Sequence, residues 1–483
     1  MASCGTLSVN GGDGDDIHMK SILFFDDFLI NRQRNLARRW HQPEWLSDRL
    51  FIDDTTLFGG GYSSVVPAPS GGYYLYYVSF LAGGDNPDNS AVLCLAESDD
   101  GLTWRKAAFD PPRKPGYPQV VYPGDPVPAG CCVYHDPDDR DPSRRYKMTE
   151  CVQLPPNSCR MLYSADGIEW RIDREHPILD RHSDTYLSLL RNPGTGRYQI
   201  TLRRHCGDRR VFLIESENLE TWSEPRLIFH PDPLDAPMTQ FYGMPQFRYA
   251  DLFVGMLWRY QTTYDDKDPW KMAGAVETEL VYSYNGLTWN RTHNIFMPFL
   301  ERGEYGGGSM YGTAMIEQDD SLLVYAIASL EEHHHALGRK PGDPPLNGLL
   351  PGRLRKDGFV SLASYAGMGE LTTDGLYLRS PELSLNLKAP LGGVRVQVCD
   401  TACNPLAGYT FAECEEIRGD GTAICPVWKQ HGDLHAAMDM LKGNGWLSGW
   451  ARLQVQLDQA ELFAINGDFG VTAQSGKPGK DYL

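Results

Sequence analysis

The sequence predicts an all-β protein: a five-bladed β-propeller followed by a C-terminal β-sandwich. Three observations carry this expectation. A short word, spelled Ser-x-Asp/Asn-Gly-x-x-Trp in its best copies, recurs along the first three-quarters of the chain. A two-stranded pattern with a turn at its centre precedes each copy, and a third strand leads into it. Beyond residue 366 the word gives way to short strands of alternating polarity, as "LSLNLKAPLGGVRVQV" shows.

The elements follow in order. Residues 1–20, which include "GGDGDD", read as a disordered tail, and the propeller is expected over residues 21–366. The word stands at Ser98–Trp104 (SDDGLTW), Ser164–Trp170 (SADGIEW), Ser216–Trp222 (SENLETW) and Ser283–Trp289 (SYNGLTW). A worn copy without tryptophan starts at Arg355, so successive starts are 66, 52, 67 and 72 residues apart. Four strands per unit at this period match propeller blades, and five units make a five-bladed ring. Asp-Gly or Asn-Gly supplies the tight turn between the third and fourth strands, the serine hydroxyl satisfies turn amides, and the tryptophan packs between neighbouring blades. Residues 332–352, "EHHHALGRKPGDPPLNGLLPG", read as a long loop inside the fifth blade. Short strands with turns at Gly392-Gly393 and Asp420-Gly421 predict the sandwich over residues 367–475, and residues 476–483 read as a tail.

Composition narrows the function classes. The 483 residues include 41% hydrophobic and 22% charged, which suits a soluble globular chain with a large core. A formal charge of -18 argues against a nucleic-acid partner, which would require a basic stripe. No run approaches the roughly 18 apolar residues of a membrane span, and the start lacks a signal-peptide pattern, so a cytoplasmic location is expected. The 11 cysteines are scattered through apolar strand patterns, consistent with buried thiols, and no Cys-x-x-Cys pair suggests structural zinc. The consecutive histidines His333, His334 and His335 alternate faces if extended, so no metal site is expected from them, and no cofactor. The 25 tyrosines and 11 tryptophans suit either a β core or a sugar-stacking surface. "YHDP" at Tyr134–Pro137 falls on a first hairpin in the repeat frame, where turn chemistry accounts for Asp136-Pro137.

Taken together, the words, "FFDDFLI" near the start, "HSDTYLSLLRNPGTGRY", "FYGMPQFRYADLFVGMLW" and "RGEYGGGSMYG" resemble the five-bladed propeller glycosidases of glycoside hydrolase families 32 and 43. The terminal "LSLNLKAPLGGVRVQV" brings the chain closer still to the bacterial family 32 N-terminal-like proteins, which join such a propeller to a C-terminal sandwich. The invertase nucleophile and acid motifs are absent, and the repeat word is one residue shorter than the sialidase Asp-box. The resemblance therefore implies a fold and a glycosidase-type chemistry on a carbohydrate substrate, with neither sucrose nor sialic acid implied.

The resemblance also implies where the chemistry sits, since propellers of this superfamily bind substrate at one end of the central channel. Innermost strands begin there and second strands return there. The candidates are Asp54 or Asp184 as base or nucleophile and Glu304 as acid, because glycoside hydrolysis requires one ionised and one protonated carboxyl. Arg203 and His205 are placed to hold substrate hydroxyls or a carboxylate, with Tyr242, Tyr260, Glu332 and His333 completing the pocket. Two other readings stay open: a carbohydrate-binding propeller without catalysis, and a polysaccharide lyase relying on a Tyr/His pair, for which His205 and Tyr242 are the residues of interest. The sugar, the stereochemical course and the oligomeric state are left open.

Overall fold

The computed structural model describes residues 16–56, 62–81, 91–124, 128–152, 158–179, 183, 185–263, 273–333, 343–443 and 447–472. Five separate antiparallel sheets form the propeller. Blade one runs outward through Ser63–Pro67, Tyr73–Phe80, Ala91–Ser98 and Arg105–Lys106, with Val120–Tyr122 also pairing on its third strand. Blade two is Pro128–His135, Tyr146–Val152, Ser158–Ser164 and Arg171–Ile172, and blade three is Ser188–Arg191, Tyr198–His205, Arg209–Ser216 and Arg226–Phe229. Blade four pairs both Thr239–Gly243 and Gln246–Tyr249 with Leu252–Thr263, followed by Ala273–Ser283 and Asn290–Met297.

Blade five departs from the expected order. Its first three strands are Ser309–Glu317, Ser321–Ser329 and Asn347–Arg355, and its fourth is Glu44–Trp45 from near the N-terminus. Trp45 pairs with Gly352 and Glu44 with Arg353. The strand after the worn word, Val360–Ser364, leaves the blade and joins the C-terminal sheet. The loop expected over 332–352 is shorter at its far end, because the third strand already starts at Asn347.

The recurring word does what its residues predict. In all four full copies the serine Oγ accepts from the backbone amide three residues on: Gly101 at 2.9 Å, Gly167 at 2.9 Å, Leu219 at 2.8 Å and Gly286 at 2.8 Å. The Asp or Asn side chain accepts from the amides two and three residues on, as Asp166 does from Ile168 at 2.8 Å and Glu169 at 2.9 Å. The turn residue is left-handed each time, with φ of 74° at Gly101, 78° at Gly167 and 72° at Gly286, and blade three holds Leu219 at 68° in the same place. The turns of blades one, two and four are then fastened to the preceding blade in the ring. Tyr325 of blade five donates to the Gly101 carbonyl at 2.7 Å, Tyr76 of blade one to that of Gly167 at 2.8 Å, and Asn192 of blade three to that of Asn285 at 2.8 Å. Tyr249 of blade four reaches the worn fifth copy through Asp357 at 2.7 Å. The tryptophans follow: Trp104 meets Tyr325 edge-on at 6.3 Å and Trp170 meets Tyr76 at 6.1 Å, across blade boundaries.

The C-terminal part is one nine-stranded sheet curled on itself. The 24-residue strand Leu376–Cys399 makes the curl: it pairs with Ala460–Thr472 up to Lys388 and with Trp450–Asp458 from Gly393 onward. Gly392 sits at the changeover against the Asp458 carbonyl, where an added Cβ would lie 1.7 Å from that oxygen. Three N-terminal strands, Asp16–Leu23, Ile30–Arg34 and Ala37–Trp40, belong to this sheet as well. Residues expected to open the propeller from 21 onward, and the last part of the expected tail, thus pair with the C-terminal sheet.

"FFDDFLI" is the joint between the two parts. Phe24, Phe25, Phe28 and Leu29 are buried in one core with residues of blades four and five and of the curled sheet. Phe25 packs on Tyr282 and Phe359, and Asp26 accepts from the hydroxyls of Tyr282 at 3.0 Å and Tyr284 at 2.8 Å. Among the described residues, no helix is long and apolar enough to cross a membrane.

Replacing the Ser164 hydroxyl by hydrogen leaves the buried Gly167 amide without its acceptor. Ser164→Ala is expected to cost about 1–3 kcal/mol, read as a lowered urea midpoint with an unchanged m-value.

Candidate active site

The innermost strands of the five blades begin at one end of the ring, and aromatic side chains fill that end. Trp258 is fully buried and its indole N–H donates to the Gly312 carbonyl of blade five at 2.7 Å. Tyr62 of blade one stacks on it at 5.9 Å, and Tyr186 of blade three and Tyr311 of blade five pack around it. The Tyr186 hydroxyl is 2.9 Å from Ser64 Oγ, tying blade three to blade one. Residues from all five blades therefore meet here, since Cys132 of blade two belongs to the same cluster.

Polar groups lie on the next layer. Tyr242 Oη and His333 Nε2 are 2.8 Å apart, and the His333 ring also approaches Tyr260, at 5.3 Å. Arg203, itself 2% exposed, stacks its guanidinium over the Tyr242 ring at 4.4 Å. Arg209 covers Tyr242 at 5.7 Å and Tyr260 at 5.5 Å, and its Nη1 donates to Gln240 Oε1 at 3.0 Å. Burial pushes the Tyr260 phenol up to about 12, with Arg209 opposing, so this hydroxyl keeps its proton at neutral pH. Glu332 lies close enough for its charge to act on Tyr260, and is half-buried, 3.8 Å from Arg302. Four residues nominated for substrate binding, Arg203, Tyr242, Tyr260 and His333, are thus brought together from blades three, four and five.

The nominated acids are distributed differently. Asp54 is 79% exposed at its side chain and ion-paired at 2.7 Å with Lys106, on the outermost strand of blade one. Its neighbour Asp53 is buried, accepting from Tyr77 at 2.9 Å, Gln119 at 3.0 Å and the Thr55 amide at 3.0 Å. Glu304 stands exposed on the turn before Ser309–Glu317, where the Gly306 and Gly308 amides bond the Ser329 carbonyl. Asp184 lies outside the described residues, as does the side chain of His205. Glu150, at a second-strand end, is buried between Arg160 at 3.2 Å and the Tyr122 hydroxyl at 3.3 Å. Asp136 is held structurally by Tyr198 at 2.6 Å and buried Lys147 at 3.1 Å.

Sequence reasoning passed over Tyr62, Tyr186 and Tyr311. All three precede or open an innermost strand, so the repeat frame that nominated Tyr242 held the signal for them as well. Asp235, Glu279 and His293 present ligand atoms within 4.8 Å of one another on blade four. Arg291 already supplies the positive charge there, 2.5 Å from both Asp235 and Glu279.

No protein-family profile matches the sequence, and no curated protein matches it. Solved structures of similar fold do. The propeller is similar to those of glycoside hydrolases. A thermostable family-43 glycoside hydrolase aligns over 64% of this chain and 95% of its own, at 13% identity and a TM-score of 0.43. An N-acetylgalactosamine deacetylase from F. plautii, solved with blood group B trisaccharide, aligns over 66% and 95%, at 12% identity and 0.44. A β-1,2-mannobiose phosphorylase from Listeria innocua aligns over 67% and 97%, at 11% identity and 0.42.

Asp53 generates a pH prediction. Burial alone would raise its pKa, but hydrogen bonds from Thr55, Gln119 and Tyr77 outweigh it and hold the carboxyl below its ordinary value. The folded state therefore favours the ionised form more than the unfolded state does. This stabilisation is fully present above the unfolded pKa of about 3.9 and is lost as pH falls through the lower folded value. Asp53→Asn should lower stability at pH 7 and flatten the acid limb of the urea-midpoint profile. A limb as steep as wild type would show that other carboxyls carry it.

Proposed function

We propose that the protein is a glycoside hydrolase that cleaves a terminal glycosidic bond at the axial end of the propeller. The observation that carries this reading is the convergence of Arg203, Tyr242, Tyr260 and His333 beside the aromatic cluster that fills that end. Such a site joins apolar ring faces to a few converging hydrogen-bond donors, the combination that grips a sugar ring by its C–H face and its hydroxyls. A position at the end of a filled axis suits the end of a saccharide, because the aromatic floor stops a chain from threading through.

In this reading Asp184 serves as base or nucleophile and Glu304 as acid, at the innermost-strand starts of blades three and five. The two-carboxylate scheme requires one group to protonate the leaving oxygen while the other attacks or activates water. Asp54, paired with Lys106 on the outer strand, takes no part. Arg203 and His333 orient the terminal sugar.

The hydrogen bond between Tyr242 and His333 favours one second reading, a lyase acting on a uronate-containing saccharide. There the His/Tyr pair would remove the proton α to the sugar carboxylate and return one to the departing oxygen, with Arg203 facing the carboxylate charge.

A panel of aryl glycosides and uronate oligomers separates the two. Hydrolase action releases the aryl alcohol, and Asp184→Asn or Glu304→Gln should lower kcat about 10²–10⁴-fold. Lyase action instead produces an unsaturated uronate seen by its ultraviolet absorbance, and depends on Tyr242→Phe more than on either acid. In both cases His333→Ala should lower kcat/KM at least about tenfold. Wild-type-like kinetics in His333→Ala would remove the axial site from the reaction.

A further inference from the structure

A second cavity lies on the outer wall of the ring, at the other end of blade two from the axial site. Its volume is about 450 Å3, inside the range of roughly 300–1,000 Å3 usual for small-molecule sites. Blade two supplies most of its lining from Tyr163, at the far end of its third strand, and from the Arg171–His176 segment that follows the repeat word. Arg144, from the first hairpin, and Glu220, from the blade-three turn, close it.

Two buried donors of this lining, the Tyr163 hydroxyl and Arg144 Nε, stand without an acceptor. Tyr163 is 3% exposed, and its hydroxyl has no hydrogen-bond partner within the protein. Arg144 Nε is likewise buried without a partner. Both guanidiniums stack on the Tyr163 ring, Arg144 at 4.4 Å and Arg171 at 5.6 Å, so the ring face is covered by positive charge and is closed to a sugar face. Of the acids that line the cavity, Asp173 is engaged by the amides of Glu175 at 3.0 Å and His176 at 3.1 Å and by the His176 ring at 3.2 Å. Glu175 and Glu220 are exposed. Buried donors left unpaired are costly, and an absent ion or ligand is a standard reason for their persistence. Burial pushes the Tyr163 phenol up to about 12, so it remains a donor across the neutral range.

We propose that this rim cavity binds an oxyanion group, the carboxylate of an acidic sugar or an inorganic phosphate, through Arg144, Arg171 and the Tyr163 hydroxyl. Guanidinium N–H groups are the natural partners of planar or tetrahedral oxyanions. The site is independent of the axial chemistry, and so of which reaction is run there.

The test is titration of the full chain with galacturonate, with inorganic phosphate and with neutral galactose, following hydrogen exchange of residues 158–176. At least one oxyanion should protect this segment, and galactose should not. Protection by galacturonate alone identifies an acidic sugar as the ligand, and protection by phosphate identifies a free phosphate-type anion; each supports the oxyanion site. Arg171→Ala, at an exposed position that should leave the melting temperature unchanged, is expected to weaken binding about 10- to 100-fold. Tyr163→Phe should weaken it several-fold without unfolding the protein. No protection by either oxyanion, equal protection by galactose, or wild-type affinity in both variants would overturn the proposal.

Discussion

The structure depends on closing a ring of separate sheets, since five blades share no continuous strand ladder and must be held edge to edge by side chains. The repeated turn does this. Its serine and Asx side chains shape the corner internally, which leaves the turn's own carbonyl free to accept from a tyrosine or asparagine of the preceding blade. One local motif thereby fixes both a hairpin and an inter-blade distance. The seam between blades five and one has this same clasp, from Tyr325 to Gly101, and blade five is in addition completed by Glu44–Trp45 on its outer edge, so two distant stretches of chain share one sheet. That pairing also covers an edge that would otherwise be exposed to a second molecule.

A ring closed in this way decides what kind of site is available. Inner strands converge at one end, and aromatic side chains from blades one, three, four and five, with Cys132 of blade two, fill the space there. The floor is therefore dry and rigid, and polar groups such as Arg203 and His333 are held by stacking on Tyr242 as much as by hydrogen bonds. Among the described residues, the curled sheet contributes none to this cluster. It shares a core with blades four and five through Phe24, Phe25 and Phe28, which anchors the N-terminal strands that lead into the closing pair.

The rim cavity illustrates a further consequence of the same repeat. The turn that follows each third strand projects from the outer wall, and in blade two it is succeeded by an arginine-rich stretch, Arg171–His176, that has no counterpart in the repeat word. The stretch beyond Ile172 lies outside the strands of the blade, so it is a place where a blade can acquire a surface site.

The sequence by itself determined the blades, because each clasp is local: seven residues contain the serine, the Asx, the left-handed turn residue and the indole, and their spacing is legible without any distant contact. It also placed Arg203, Tyr242, Tyr260 and His333 at one end, because strand order within a blade dictates which termini face the axis. Only the tertiary structure decided what pairs across long separations. The transfer of Glu44–Trp45 to blade five, the joining of Asp16–Trp40 strands to the curled sheet and the attachment of Asp54 to Lys106 all depend on partners dozens to hundreds of residues away. The tyrosines of the axial floor, Tyr62, Tyr186 and Tyr311, belong to that second class. Each looks like an ordinary strand residue until four other blades bring their own side chains to the same point.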